Sequence, residues 1–324
     1  MPSLIEVKEL TKHFDTVIAL DNISFSIKKG ELFGFLGPNG AGKTTTINIL
    51  TGLARPDSGI IEIAGMNCSK NPKAAQHLIG IVPDESNLYP ELTGYENLCF
   101  CSSLYGNKKI ERQLRARELL EDFGLSQAAD RKFGGYSKGM KRKLTIAAGI
   151  IHNPEILFLD EPTTGIDVAS ARQIRQVIAH LHNRGTTIFL TTHYIEEAER
   201  LCQWIGFIVK GKIVKIDTIE KLLQPIQKMK NMLVSVANPH NGLYNKLVSH
   251  FPQYKIRCES KGEFHIISEE TINIGPLVRT IEECSGEVLE ARRIRTSLEE
   301  VFVRITGIEL QTMKNDKQKN GSVS

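Results

Sequence analysis

Apolar and polar residues alternate over residues 4–10 and 22–28, and this period of two predicts strands with one exposed face. The run ELFGFLG at 31–37 is densely apolar, as expected of a buried strand. The stretch that follows it, PNGAGKTTTINILTGL, opens with glycines and then has helical periodicity. Residues 60–64 and 78–82 predict two further strands. The N-terminal part therefore contains a buried strand, a glycine loop and a helix in direct succession.

The middle of the chain alternates between helical and strand patterns. Residues from about 93 to 123 have helical periodicity and predict a helical insert. The apolar runs ILFLD and TTIFLTT predict buried strands, and the amphipathic segment ASARQIRQVIAHLHNRG separates them. Strand–helix–strand alternation of this kind predicts an α/β fold with a mostly parallel core sheet and helices on its faces.

The character of the chain changes near residue 220. Residues 221–231 are polar with an internal proline and predict a linker. Residues 232–310 follow a strand–helix–strand–strand–helix–strand order, which predicts a small ferredoxin-like α+β domain closed by the helix SLEEVFVRITG. The tail at 311–324 has few apolar residues to bury and is predicted to be disordered.

Composition adds little to this picture. The chain of 324 residues is 41% hydrophobic and 24% charged, with a net charge of +4 that permits contact with anions without arguing for it. The six cysteines form no CxxC pair, so free thiols in a reducing compartment are expected and no metal site at Cys99 and Cys101. No signal peptide and no apolar run long enough to span a bilayer is found, so the chain is not expected to cross a membrane alone.

The glycine loop carries the most specific chemical signal. GPNGAGKT at 37–44 fits the phosphate-binding pattern G-x-x-x-x-G-K-[ST] between a strand and a helix. Glycines let backbone N–H groups close around phosphate oxygens, and the helix N-terminus adds its positive dipole end. Lys43 can reach the β- and γ-phosphates, and the Thr44 hydroxyl can bind Mg²⁺. The predicted nucleotide-binding residues of this loop are Gly37, Pro38, Asn39, Gly40, Ala41, Gly42, Lys43, Thr44 and Thr45.

Polar residues end the two apolar strands that follow. Asp160 ends ILFLD, where it either caps a turn or, with a phosphate loop upstream, organises Mg²⁺. Glu161 follows and can act as the general base for an attacking water. His193 comes after IFLTT, where it is either structural or a donor that contacts the γ-phosphate.

Together, and in this order, these motifs resemble the nucleotide-binding subunit of an ABC transporter over about the first 217 residues. The resemblance implies a P-loop ABC ATPase domain at 1–220, with an antiparallel β subdomain and a helical subdomain at about 93–150. It implies that Phe14 stacks on adenine, although a packed surface aromatic is an open alternative. It also implies that Asp167 lies in the D-loop, which meets a partner cassette.

Two positions depart from the family pattern. Where the family has a glutamine after a strand such as IGIVP, this chain has Asp84, which could ligate Mg²⁺ but adds negative charge. The signature loop, commonly LSGGQ, is YSKGM here, with Ser137, Lys138, Gly139 and Met140. Ser137 and Gly139 retain the hydroxyl and the backbone N–H that would contact the ATP of a second copy.

The YSKGM form, LYPELTGYENL and SLEEVFVRITG resemble the drug-resistance-type ABC-2 exporter ATPases. That resemblance implies an exporter in which a homodimer of cassettes closes on two ATP·Mg²⁺ and drives a separate transmembrane permease of ABC-2 type. The chain would then lie at the cytoplasmic face of the cell membrane. The C-terminal domain would be regulatory, dimer-supporting or an inert appendage.

Other nucleotide-dependent machines fit less well. The segment between the phosphate loop and the signature lacks the long coiled coil of DNA-repair ABC ATPases, and no N-K-x-D element of small GTPases is found. The alternative function is a soluble stand-alone ABC ATPase that acts on nucleic acid or a protein partner. The basic patch around Lys141–Lys143 would favour it, but interleaved aromatics are lacking, so nucleic acid is not the expected partner. Arg142 and Lys143 are expected on a solvated helix face.

Overall fold

Strands and helices alternate along most of the chain in the computed structural model, which describes residues 3–227, 230–294 and 297–308. The strands are β1 Ser3–Phe14, β2 Val17–Lys28, β3 Leu32–Leu36, β4 Ser58–Ile63, β5 Met66–Asn67, β6 Ile79–Val82, β7 Ile156–Asp160, β8 Thr187–Thr192, β9 Trp204–Val209, β10 Lys212–Thr218, β11 Lys230–Ala237, β12 Lys255–Ser260, β13 Glu263–Ser268 and β14 Glu287–Ile294. The helices are α1 Lys43–Leu50, α2 Gly94–Leu104, α3 Lys109–Asp122, α4 Lys138–Gly149, α5 Val168–Asn183, α6 Ile195–Leu201, α7 Ile219–Gln227, α8 Leu243–His250, α9 Ile274–Glu283 and α10 Leu298–Thr306.

The core sheet has the strand order β10-β9-β3-β8-β7-β6. The pairs from β9 through β6 are parallel, and only the edge strand β10 runs antiparallel to its neighbour within this sheet. Every residue of β3, β7 and β8 is buried, because parallel strands covered on both faces have no solvent side. The mostly parallel core sheet predicted from the sequence is confirmed.

A second sheet, with the order β2-β1-β4-β5, is antiparallel throughout. Its inward residues pack with those of the core sheet in one hydrophobic cluster. Phenylalanine rings join the sheets: Phe25 lies 5.9 Å from Phe33, and Phe33 lies 5.7 Å from Phe189 with nearly parallel planes. Stacked rings at this spacing stabilise the fold by more than the burial of their apolar area alone. This sheet is the antiparallel subdomain that the family resemblance implies.

The predicted helical insert at 93–123 contains α2 and α3. A capping box starts α2, in which the Thr93 hydroxyl accepts from the Glu96 N–H and the Glu96 carboxylate accepts from the Thr93 N–H. The buried Asn97 amide group donates to the carbonyl oxygens of Tyr89 and Thr93 and accepts from the Tyr89 N–H. The loop that enters the insert is therefore held by side-chain hydrogen bonds as well as by packing.

The C-terminal part forms a ferredoxin-like unit, as predicted. Its sheet has the order β12-β13-β11-β14, and all of its neighbouring strands are antiparallel. The helices α8 and α9 supply Leu247, Leu277 and Ile281 to a hydrophobic core of its own. This independent core explains why the sequence pattern changes where the unit begins.

Contacts divide the described chain into two compact units, one of residues 3–219 and 302–308 and the other of residues 220–301. The stretch predicted as a linker, 221–231, is mostly helical, because α7 covers it to Gln227 and β11 begins at Lys230. Apolar residues three and four apart explain this helix, and Leu222 is buried. The domain boundaries and the linker role stay predictions, and the tail at 311–324 lies outside the described residues.

The six cysteines carry free thiols. Across the described ranges, no helix combines the length and the apolar character that crossing a bilayer requires.

Candidate functional site

The carboxyl ends of neighbouring parallel strands bring the predicted site residues together. Strands β3, β8, β7 and β6 are adjacent and parallel, so the loops that follow them open at one edge of the sheet. A cleft of about 230 Å³ lies there. Its lining residues are Val17, Ala19, Asn39, Gly40, Gly42, Lys43, Thr44, Thr45, Asp84, Glu161, Thr164 and His193.

The glycine loop connects β3 to α1 and forms one wall of this cleft. Gly42 has φ 105°, and a Cβ there would meet the Ala19 carbonyl oxygen at 2.6 Å, so only glycine fits. Lys43 is buried, and its Nζ donates to the carbonyl oxygens of Gly37 at 2.8 Å and Pro38 at 3.1 Å. The loop therefore folds around its own lysine ammonium, which places a positive charge at the floor of the cleft.

The Glu161 carboxylate lies opposite that ammonium. Its Oε1 is 3.2 Å from Lys43 Nζ, and its Oε2 is 2.6 Å from His193 Nδ1. The Thr164 hydroxyl also donates to Oε2, at 2.9 Å. The phosphate loop and the ends of β7 and β8 thus converge on one carboxylate.

These contacts determine the ionisation of Glu161. Burial raises the pKa of Glu161, but the hydrogen bond from His193 and the charge of Lys43 together bring that pKa below its ordinary value. Glu161 is therefore an ionised carboxylate at neutral pH, which is the form that a general base requires.

The backbone of Glu161 is strained and held from both sides. Glu161 has φ 48°, a left-handed conformation that is uncommon for a residue with a side chain. Its N–H donates to the Thr191 carbonyl oxygen at 3.1 Å, and its own carbonyl oxygen accepts from Arg142 Nη2 at 2.9 Å. The Thr191 hydroxyl donates to the Asp160 carboxylate next to it. Long-range contacts thus impose the turn that aims the carboxylate into the cleft.

Arg142 lies in a different environment from the one that its sequence context predicts. It was expected on a solvated helix face, but it is only 6% exposed. Its guanidinium donates to the carbonyl oxygens of Pro83 and Glu161 and lies 3.4 Å from the Asp84 carboxylate. The planar guanidinium can satisfy several acceptors at once, which explains the burial of a charged group here. The negative charge at position 84 therefore faces a buried cation. Lys143 is half-buried.

The chain is similar to known proteins in both sequence and fold. The family model described as ABC transporter matches residues 20–164. The linearmycin resistance ATP-binding protein LnrL of Bacillus subtilis (strain 168) is 44% identical over 215 residues, covering 66% of this chain and 69% of that protein. The Nod factor export ATP-binding protein I of Burkholderia orbicola (strain AU 1054) is 34% identical over 310 residues, covering 95% of this chain and 98% of that protein.

One solved structure to which this chain is similar is a dimeric ATP-binding cassette in a post-hydrolysis state, bound to ADP and Pi. It has a TM-score of 0.62 and 28% identity, and the match covers 66% of this chain and 98% of that one. This chain belongs to the ABC transporter ATP-binding family. It is an ATPase that uses ATP with Mg²⁺, and the resemblance found in its sequence is confirmed.

The predicted signature loop lies apart from the residues that line the cleft. Ser137 is exposed and caps α4, where its hydroxyl accepts from the Met140 N–H at 3.3 Å. A Cβ on Gly139 would meet Ser170 Oγ at 2.2 Å, so close packing alone requires glycine there. Lys138 is exposed and Met140 is half-buried. Both loop positions that retain the family's donors thus have a local structural role as well.

Two other predicted residues lie outside the cleft lining. Asp167 caps α5, where its side chain accepts from the Ser170 N–H at 2.9 Å, and its D-loop role stays a prediction. Phe14 is 51% exposed at the end of β1, with Lys12 Nζ 5.1 Å from its ring centre, and it is not among the residues that line the cleft. Its adenine-stacking role stays a prediction.

The residues predicted to hold Mg²⁺ offer suitable donors. Thr44 and Asp84 line the cleft, and Asp160 is buried at the end of β7, directly before Glu161. Mg²⁺ is usually bound by one or two protein oxygens together with phosphates and water, so a hydroxyl and one or two carboxylates are sufficient. In the described part of the chain, no group of three or more His, Cys, Asp or Glu could hold a metal ion by itself.

Volume alone would have selected a different cavity. A cleft of about 810 Å³ lies between α3, α4 and α5, with Arg115, Lys143, His180 and Arg184 in its walls. It contains neither the phosphate loop nor the carboxylate and histidine that meet at the smaller cleft. The arrangement of chemical groups, rather than size, favours the smaller cleft as the candidate nucleotide site.

Sequence reasoning missed several residues around the site: Arg142, Thr164, Thr191, Thr192 and Glu197. A signal existed for the threonines, because TT pairs follow DEP and end TTIFLTT. No local pattern marks Arg142 or Glu197, because their partners come from other elements.

The lowered pKa of Glu161 predicts a pH dependence of stability. A carboxylate whose pKa falls on folding contributes stability above its ordinary value of 4.5, and that contribution is lost as pH drops through the lower folded value. Glu161→Gln lacks this contribution at every pH. Thermal unfolding of both proteins from neutral pH to about pH 3 should show the difference in melting temperature moving against the wild type below pH 4.5. Movement in the opposite direction would contradict the assigned ionisation.

Proposed function

We propose that this chain is the ATP-hydrolysing subunit of an ABC-2-type exporter, positioned at the cytoplasmic face of the cell membrane beside a separate permease. The observation that carries the proposal is the convergence of Lys43 and His193 on the Glu161 carboxylate within the phosphate-loop cleft. A cation, an ionised base and a third polar group within hydrogen-bond reach form the constellation that phosphoryl transfer to water requires.

Each group has a role in this proposal. The backbone N–H groups of the phosphate loop and the Lys43 ammonium bind the β- and γ-phosphates. The Glu161 carboxylate accepts a proton from water and orients that water for in-line attack, and His193 contacts the γ-phosphate while holding Oε2 of Glu161. Thr44, Asp160 and Asp84 would hold Mg²⁺, which neutralises charge on the phosphates when bound.

A second copy of the chain completes each ATP site. The cleft of about 230 Å³ is smaller than typical ligand sites, and the exposed Ser137 is outside the residues that line it. In the homodimer, Ser137 and the Gly139 N–H of one copy donate to the γ-phosphate bound by the other copy. Asp167 meets the partner beside that contact. Loss of the γ-phosphate removes these bridging contacts, and the dimer opens.

The names of the relatives support export. LnrL is named for linearmycin resistance, and the Nod factor protein is named for export. The second match covers 95% of this chain, so it includes the C-terminal unit as well as the ATPase domain. In this proposal, the transported compound is carried by the permease.

The helical region offers a surface for that permease. Large apolar side chains are exposed on α2 and α3 and in the loops beside them: Tyr89, Phe100, Leu104, Tyr105, Ile110 and Leu114. Leu104 is 69% and Ile110 is 72% exposed, and the grouping of these side chains on two helices in contact favours a surface that a partner covers. The stand-alone alternative loses support here, because burial of Arg142 removes one cation from the basic patch that favoured nucleic acid.

Glu161→Gln tests the catalytic assignment. We expect ATP binding to remain within about threefold and hydrolysis to fall roughly 100-fold or more, because the amide cannot accept the proton of water. Unhydrolysed ATP should then stay bound and stabilise the dimer. Light scattering should therefore show a larger dimer fraction than for the wild type. Glu196→Gln, on the exposed face of α6, is the matched control and should hydrolyse ATP normally. Brisk hydrolysis by Glu161→Gln would refute the assignment.

Co-purification from the native host tests the permease. The tagged chain extracted in mild detergent should retain a polytopic membrane protein, identified by mass spectrometry. A Leu104→Asp/Ile110→Asp variant should lose that protein because charges are placed in the apolar surface, while Leu289→Asp, an exposed leucine of the C-terminal unit, should retain it. Retention of nucleic acid in place of a membrane protein would favour the stand-alone alternative.

A further inference from the structure

Glu197 is a buried carboxylate with an unusual pair of partners. It lies on the short helix α6 and is 3% exposed. Its Oε1 accepts from the Thr163 hydroxyl at 2.7 Å, and its Oε2 accepts from the Thr192 hydroxyl at 2.8 Å. One carboxylate therefore joins two threonines that are far apart in the sequence.

Both threonines lie next to groups that the proposed reaction uses. Thr163 is two residues after Glu161, in the turn that follows β7. Thr192 ends β8 and directly precedes His193, and its hydroxyl also accepts from the Tyr194 N–H at 2.9 Å. The Glu197 carboxylate is thus a cross-link between the segment that carries the general base and the segment that carries the histidine.

The strain at Glu161 makes such a cross-link useful. Its left-handed backbone, φ 48°, relaxes unless both flanks of the turn are held. The N-terminal flank is held by the pairing of β7 with β8, since the Glu161 N–H donates to the Thr191 carbonyl oxygen. On the C-terminal flank, the hydrogen bond from Thr163 to Glu197 ties the turn to α6 and, through Thr192, to the end of β8.

We propose that Glu197 is a positioning residue for ATP hydrolysis: by joining Thr163 to Thr192, its carboxylate fixes the distance and angle between Glu161 and His193. It contacts neither the nucleotide cleft nor the reacting atoms. The proposal rests on the roles assigned to Glu161 and His193 under the proposed function.

The chemistry of position 197 indicates that Glu197 aligns neighbouring segments rather than stabilising the fold. Burial raises the pKa of Glu197, and the two threonine hydroxyls counteract this effect. A buried carboxylate that receives its hydrogen bonds from two hydroxyls stabilises a fold less than a well-packed apolar side chain does. What an apolar side chain cannot do is accept two hydrogen bonds that converge from different segments.

Substitutions at position 197 separate alignment from packing. Glu197→Met removes both hydrogen bonds while filling similar space, and we expect kcat to fall roughly 10- to 100-fold because the general base is misplaced by a fraction of an ångström. The KM for ATP and the affinity for a non-hydrolysable analogue should stay within about twofold, because the phosphate loop is unchanged. Glu197→Gln keeps one acceptor and gains a donor that a threonine hydroxyl can accept, so it should retain at least about half of kcat.

Isosteric threonine variants test the same link without altering the carboxylate. Thr163→Val and Thr192→Val each remove one hydroxyl donor and should each lower kcat with little change in KM. Adding either change to Glu197→Met should produce no further loss, because the bridge is already broken. Glu196→Gln on the same helix is the control for removing an exposed carboxylate.

Different outcomes overturn the proposed catalytic function and the positioning role of Glu197. Wild-type kcat in Glu197→Met, or equal losses in Glu197→Met and Glu197→Gln, would overturn the positioning role. A Glu197→Met protein that unfolds at the assay temperature is replaced by the threonine variants, whose kcat then decides the matter. If Glu161→Gln itself hydrolyses ATP briskly, the proposed catalytic function fails. If Glu161→Gln is inactive as expected but the position-197 and threonine variants keep the wild-type kcat, only the positioning role of Glu197 is overturned.

Discussion

The contact between the Glu161 carboxylate and its two nitrogen partners is the interaction on which the site depends. Lys43 comes from the phosphate loop after β3, and His193 comes from the end of β8, so the contact requires β3, β8 and β7 to be parallel neighbours in that order. Burial alone would favour a neutral Glu161, and the two nitrogens keep it ionised. The ionisation of Glu161 therefore depends on the strand order of the core sheet, which brings its two nitrogen partners together.

Local patterns predict the parts of the site that depend on local geometry. The phosphate loop is recognisable because glycines, lysine and threonine must follow a buried strand at fixed spacing, and Asp160, Glu161 and His193 stand out as polar residues that end apolar strands. Strand and helix periodicity likewise predicts the mostly parallel sheet and the ferredoxin-like unit. The residues proposed to perform the phosphate chemistry can therefore be predicted from the sequence.

The supporting residues could not be predicted, because their environments are created by tertiary packing. Arg142 follows Ser137 in a basic run and has no local sign of burial, yet carbonyl groups from two distant loops surround it. Glu197 lies in an acidic helix, and the pairing of β7 with β8 brings its two threonine partners within reach of its carboxylate. The sequence predicts a phosphate contact for Gly139, and packing against Ser170 also requires glycine there. The same packing makes substitution of Ser137 a cleaner probe of the signature loop than substitution of Gly139.

The most direct measurement of the central claim is a double-mutant cycle on kcat with Glu161→Gln, His193→Ala and the combined variant. If the two side chains act as one unit on the reacting water and phosphate, each single change removes most of the activity, and the combined variant is no slower than about the worse single variant. Fold losses that multiply, with ATP affinity unchanged, would show that the 2.6 Å contact between Glu161 and His193 has no catalytic meaning.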